Sequence, residues 1–177
     1  MRKDLHRPPH LYLDETIYFV TASTRDKNRY FNTDKRKEII LETIMNIPEN
    51  IHCHLYAWII LDNHYHVEIG LQYGKELSTC VKAINGKSSF KLNQMDEERG
   101  RQVWRQYWDT CIRGERDFWR RFNYIHHNSI KHGYVKQMEE YAFSSYNFYL
   151  EKYGQEWLID IFAQYPVIDF TIKSDEF

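Results

Sequence analysis

Residues 53–71 constrain the fold more than any other stretch. Cys53 to Leu61 (CHLYAWIIL) and His64 to Leu71 (HYHVEIGL) are rich in β-branched and aromatic residues and read as strands, with only Asp62-Asn63 between them. A turn pair of that chemistry joins its strands as an antiparallel hairpin. Upstream, Thr16 to Ser23 (TIYFVTAS) reads as another strand that leads into the basic loop TRDKNRYF. Thr33 then serves as N-cap for a helix to about Ile47, with Ile40, Leu41, Ile44 and Met45 as its apolar stripe and Pro48 as its stop. Downstream, Leu77, Val81 and Ile84 predict a helix from about Lys75 to Asn93, weakened at Gly86. Val103 to Ile112 reads as a fourth strand and Glu115 to about Ser129 as a helix between Gly114 and Gly133. The order β-α-β-β-α-β plus a helix belongs to the α+β class with a ferredoxin-like antiparallel sheet, helices on one face and a further C-terminal helix. Such a fold does not by itself name a function.

The 177 residues suit one domain, and 7 Gly and 4 Pro leave no obvious linker, repeat or low-complexity tract. An aromatic content of 16% with a mean hydropathy of -0.71 argues against both a membrane protein and general disorder. The start MRKDLHRPPH has no signal-peptide core, so a cytoplasmic protein is expected. Cys53, Cys80 and Cys111 are odd in number and widely spaced, which fits buried free thiols rather than a disulfide framework or a CxxC zinc site. The formal net charge is -1, yet residues 1–137 sum to +5 and residues 138–177 to -6. A basic body, 1–150, thus carries an acidic tail, 151–177.

His64 and His66 project from the same face of one strand while Tyr65 faces the other way. Two adjacent imidazoles can hold a divalent ion, but HxH spacing alone is weak evidence. His52 and His54 repeat the spacing; across the hairpin they lie roughly 20 Å from the first pair at strand rise, too far to complete one site. On the helix after Gly114, a 100° wheel gathers Phe118, Trp119, Phe122 and Ile125 on one side and Arg120, Arg121, Tyr124, His127, Asn128 and Lys131 on the other. Tyr124 is therefore expected on a polar face, one turn from Asn128, whose carbonyl oxygen can ligate a metal. For His127 a plain helix-surface position fits better than a role on phosphate. A phenol with an ordinary pKa near 10 is a poor nucleophile unless a cation or base favours the phenolate. Beside a metal that polarises a phosphodiester, the expected reaction is transesterification.

The stretch YAWIILDNHYHVEI resembles the signature of HUH single-tyrosine transposases, in which a strand, a turn ending in Asn and the HxH strand follow one another. RDFWRRFNYIHHNSIKHGYV resembles the catalytic-helix segment of the REP-associated tyrosine transposase branch, usually read as YIHxNPVKHGLV. TRDKNRYF and YAFSSYNFYL are similar to further segments of that branch, so four ordered motifs span about residues 10–150. The resemblance implies a nuclease that cuts single-stranded DNA, becomes attached through a 5'-phosphotyrosine and leaves a free 3'-OH for rejoining. It implies His64 and His66 as metal ligands, Asn128 as the third ligand, Tyr124 as the nucleophile and Mg²⁺ or Mn²⁺ as the ion. Ser129 stands where the branch has Pro, and Asp62 where Pro commonly precedes Asn63.

For the DNA partner, single-stranded or hairpin, the candidates are Arg25, Lys27 and Arg29 beside Tyr30 and Phe31, and a second cluster of Arg113, Arg116, Arg120, Arg121 and Lys131. Insertion-sequence relatives exchange helices within dimers and the REP-associated branch can work as a monomer, so both monomer and homodimer stay open. A domesticated DNA-binding protein that no longer cuts is the alternative of a different class. A two-histidine phosphoesterase built on paired H-x-[ST] motifs has no such pair here. The acidic tail from about Glu151 is expected to be peripheral and to fold over the basic surface in competition with DNA.

Overall fold

A computed structural model describes residues 10–47 and 51–170. Pro48, the expected stop of the first helix, and residues 171–177 of the tail lie outside the described residues. The elements are β1 (Thr16–Thr24), α1 (Asp34–Met45), β2 (Cys53–Ile60), β3 (His64–Leu71), α2 (Leu77–Met95), β4 (Trp104–Cys111), α3 (Glu115–Lys131), α4 (Tyr146–Tyr153) and α5 (Gln155–Gln164). Four strands form one antiparallel sheet in the order β2-β3-β1-β4, the ferredoxin-like arrangement. The β2–β3 turn closes with Leu61 N–H donating to His64 C=O at 2.8 Å. No helix among the described residues is long and apolar enough to cross a membrane.

Period-two alternation splits β3 between two environments. Tyr65, Val67 and Ile69 face α1 and α2, where Tyr65 Oη donates to Asn85 Oδ1 at 2.9 Å and Trp104 Nε1 to Ser88 Oγ at 2.9 Å. His64, His66 and Glu68 face α3 and are buried as completely. α1 and α2 therefore cover one face, as expected, and α3, the expected C-terminal helix, covers the other. Both long sides of α3 are used: one packs on β2 and β3, the other takes α5.

The boundary expected at residue 150 falls inside α4. Gly154, at φ 85°, adopts a backbone that other residues rarely tolerate and lets α4 turn at once into α5. Leu158 of α5 is buried, and Trp157 packs edge-on against Trp119 of α3, so this part of the acidic region belongs to the core rather than the periphery. The SSY segment has an equally structural task. Ile60 N–H donates to Phe143 C=O and Ser145 N–H to Trp58 C=O, both at 2.9 Å, which caps the outer edge of β2. Ser145 Oγ accepts from Trp58 N–H at 3.0 Å and lies 2.7 Å from His126 Nε2, tying that edge to α3.

Candidate active site

The two β3 histidines are held by different neighbours. His64 Nδ1 lies 2.7 Å from Asn63 Oδ1, and the Asn63 amide nitrogen donates to Lys27 C=O at 3.3 Å, which fixes the oxygen toward the imidazole. Nδ1 of His64 is thus the protonated nitrogen and Nε2 carries the lone pair. His66 Nδ1 lies 2.7 Å from Thr21 Oγ1, its opposite number on β1. The rings are 5.1 Å apart. Burial, then the neighbouring His66, His132 and Lys131, pushes His64 well below the usual imidazole range. Burial, with His132 and Lys131 adding to it, takes His66 down to about 3. Both imidazoles are neutral at physiological pH, the form that ligates metal.

α3 delivers the remaining groups. Its first turn holds Glu115 and Asp117 and its last Lys131, charges that suit the helix dipole, and Gly133 at φ 71° ends it. Tyr124 is only 2% exposed, which corrects its expected place on a polar, solvated face. Its ring lies 5.5 Å from His66, 6.0 Å from Phe19 and 5.4 Å from Phe170. Lys131 Nζ is 3.5 Å from the Tyr124 hydroxyl and 2.8 Å from Asp169 Oδ1. Asn128 donates its amide to Tyr124 C=O at 2.5 Å, so Oδ1 is the atom left over. That oxygen and His66 Nε2 are buried with no hydrogen-bond partner among the described residues. Buried polar atoms without partners are costly, and a cation would satisfy both. Among the described residues no three His, Cys, Asp or Glu side chains cluster as a metal site.

The predicted DNA cations separate into accessible and committed ones. Arg25 and Lys27 are exposed in the loop after β1. Arg29 binds Asp62 Oδ2 through Nε at 2.9 Å, while the buried Lys37 takes Asp62 Oδ1 at 2.7 Å. Asp62, the departure from Pro, thereby anchors the turn that presents Asn63 and His64. Arg113 and Arg116 are exposed, Arg120 is half-buried, and Arg121 is buried. The Arg121 guanidinium bonds Asp117 at 2.8 Å and lies between the rings of Phe19 and Phe170, which removes it from the accessible basic cluster. His127 is half-buried rather than a plain surface residue, and burial, with Lys131 nearby, lowers its pKa.

Several residues of the site escaped the sequence reading. Thr21 and Asn63 orient the histidines, and His132 sits 5.1 Å from His64 at the end of α3. Glu68 continues the His64-His66 face; it is fully buried, burial raises its carboxyl well above the usual range, and neither oxygen has a hydrogen-bond partner among the described residues. The register of β1 against β3 was the signal that could have found Thr21. His132 lies in the KHG of the segment that resembles the REP-associated branch, and Phe170 had no signal.

A family model described as Transposase IS200 like matches residues 13–128. The chain is 22% identical over 138 residues to the REP-associated tyrosine transposase of Escherichia coli (strain K12), covering 77% of this chain and 79% of that one. A solved structure of a REP-associated tyrosine transposase bound to a REP hairpin superposes with a TM-score of 0.73 at 20% identity, covering 97% of this chain and 96% of the other.

Proposed function

As this chain belongs to the IS200-like transposase family, we propose that it cuts and rejoins single-stranded DNA at hairpin-forming palindromic repeats, through a covalent bond to Tyr124. The observation that carries this reading is one dry pocket in one chain that joins a phenol to two oriented, neutral imidazoles and an unpartnered amide oxygen. In the forward step the Tyr124 oxygen attacks the scissile phosphorus and gives up its proton. The P–O3' bond breaks, the 3'-oxygen leaves and is protonated, and the 5'-phosphate stays on the tyrosine. The reverse step, with the 3'-OH of another strand as nucleophile, rejoins DNA without an external energy source.

The donor set fits Mg²⁺ or Mn²⁺ held by His64, His66 and Asn128, and the bound ion would supply positive charge to the phosphoryl oxygens. The Lys131 ammonium beside the phenol adds a fixed positive charge where negative charge is handled. The C-terminal segment has a part as well: Phe170 lies over Tyr124 and Asp169 occupies Lys131, so both must move before a phosphodiester reaches the hydroxyl.

The test is a hairpin oligonucleotide with unpaired flanks, incubated with the protein and Mn²⁺ or Mg²⁺ and resolved on a denaturing gel. A covalent adduct is expected, and Tyr124→Phe abolishes it. Binding without any adduct across hairpin substrates would instead establish the non-cleaving DNA-binding protein. An adduct that survives Tyr124→Phe would remove Tyr124 as nucleophile.

A further inference from the structure

The α3 side of the sheet is covered unevenly. α3 lies over β2 and β3, while β4 forms the opposite edge. The register aligns three residues across that face: His66 stands opposite Thr21 on β1, and Thr21 stands opposite Trp108 on β4. Directly opposed residues share a face, and the contact of the Thr21 hydroxyl with His66 identifies which one. Trp108 is therefore on the side of Tyr124, two strand spacings or roughly 10 Å from His66. Thr110, the next residue on that face, is exposed.

Trp108 differs from the other tryptophans. Trp104, Trp119 and Trp157 stack on neighbouring rings and Trp58 packs against the core. The Trp108 indole is half-buried, lies outside the core cluster and makes no ring contact among the described residues. Farther along the same edge, Arg105 of β4 and Arg25, just after β1, line an open groove of about 380 Å³ with Asp26, Gln102 and Gln106, where Arg25 donates to Gln102 Oε1 at 2.9 Å and lies 3.6 Å from Asp26. An aromatic face with no ring partner among the described residues, on a sheet edge that also carries cations, is the arrangement that stacks unpaired bases and tracks their backbone.

Resting on the strand-transfer reading, we propose that Trp108 is a stacking platform for an unpaired nucleobase next to the phosphate presented to Tyr124, with Arg25 and Arg105 holding the strand. The ligand is single-stranded DNA, and stacking makes the contact tolerant of base identity.

The experiment measures binding of the full chain with Mn²⁺ to a hairpin carrying a thymidine flank, in which each flank base is removed in turn to leave an abasic site. One abasic position is expected to weaken wild-type binding about 5- to 100-fold, in line with stacking on a single ring. Trp108→Ala weakens binding to the intact flank by a similar factor and becomes insensitive at that position, while Trp108→Phe stays close to wild type. Trp108→Leu, which keeps the apolar bulk, behaves as Trp108→Ala and separates stacking from folding. Wild-type affinity in Trp108→Ala, or an abasic penalty that adds in full to the substitution, overturns the proposal, as does failure of the wild type to bind the flank; a change of oligomeric state would make this face a contact between copies instead. Adduct formation at Tyr124 is scored in parallel. An intact adduct with no coupling at Trp108 defeats only the stacking platform, and coupling without an adduct defeats only the strand-transfer reading.

Discussion

Two His-x-His pairs sit at opposite ends of one hairpin, alike in spacing and unlike in every physical respect. His52 and His54 are exposed; their rings touch only Tyr73 and Tyr56 edge-on, and among the described residues neither ring is hydrogen-bonded. His64 and His66 are buried, each with an oxygen on Nδ1, and α3 closes over them. What separates a site from a coincidence is therefore the orienting oxygen, the dry surroundings that keep the ring neutral, and the groups that a third element brings.

The largest expected effect follows directly. His64→Ala or His66→Ala removes Mn²⁺ binding by calorimetry and reduces adduct formation to the detection floor, whereas the His52→Ala/His54→Ala double variant stays within about twofold of wild type. Equal losses at both ends would erase the distinction. Removing the orienting oxygens is a sharper probe. Thr21→Val and Asn63→Ala are each expected to weaken metal binding by about 10- to 100-fold without touching a ligand.

Proton linkage distinguishes buried from exposed histidines in another way. Burial takes His66 and His126 down to about 3, below the value near 6.5 of an unfolded chain. Between those values the unfolded state binds protons that the folded state refuses, so metal-free protein loses stability as the pH falls from 7 toward 3. At pH 5 the loss is roughly 2 kcal/mol for each of these two residues, measured as a fall in denaturation midpoint. His126→Gln flattens that slope. The smallest effect concerns the cover. Phe170→Ala removes one ring from Tyr124 and is expected to raise the adduct rate by about two- to fivefold, the worth of a single aromatic contact.

The alternating pattern of β3 was legible to the residue, since His64 to Leu71 forms the strand that was predicted. His64, His66, Tyr124 and Asn128 all lie buried on the side of β3 that α3 covers. Solvation of α3 was not legible. A helical wheel sorts by polarity, and Arg121, Tyr124 and Asn128 are polar, but the wheel cannot know that Phe19, Phe170 and α5 surround them. Charge counting misled in the same manner at residues 155–164. The acidic sum concealed Trp157, Leu158, Ile161 and Phe162, an apolar stripe that secures α3 from behind. Asn123, next to Tyr124 in the chain, donates to the carbonyls of Ile161 and Tyr165 at 3.1 and 2.7 Å, a connection with no local signature at all.

The strand order β2-β3-β1-β4 also dictates a sequence of events in time. His64 and His66 stand side by side by the periodicity of β3 alone, and the β2–β3 turn pairs that strand through contacts near in the chain. β1 is interior to the sheet, and its Thr21 reaches His66 across 45 residues of intervening chain, a closure that is intrinsically slower. α3, with Tyr124 and Asn128, docks from farther still. A half-folded chain thus possesses its imidazoles before it possesses their orientation or the phenol of Tyr124, and the candidate site is complete only with the last long-range contacts.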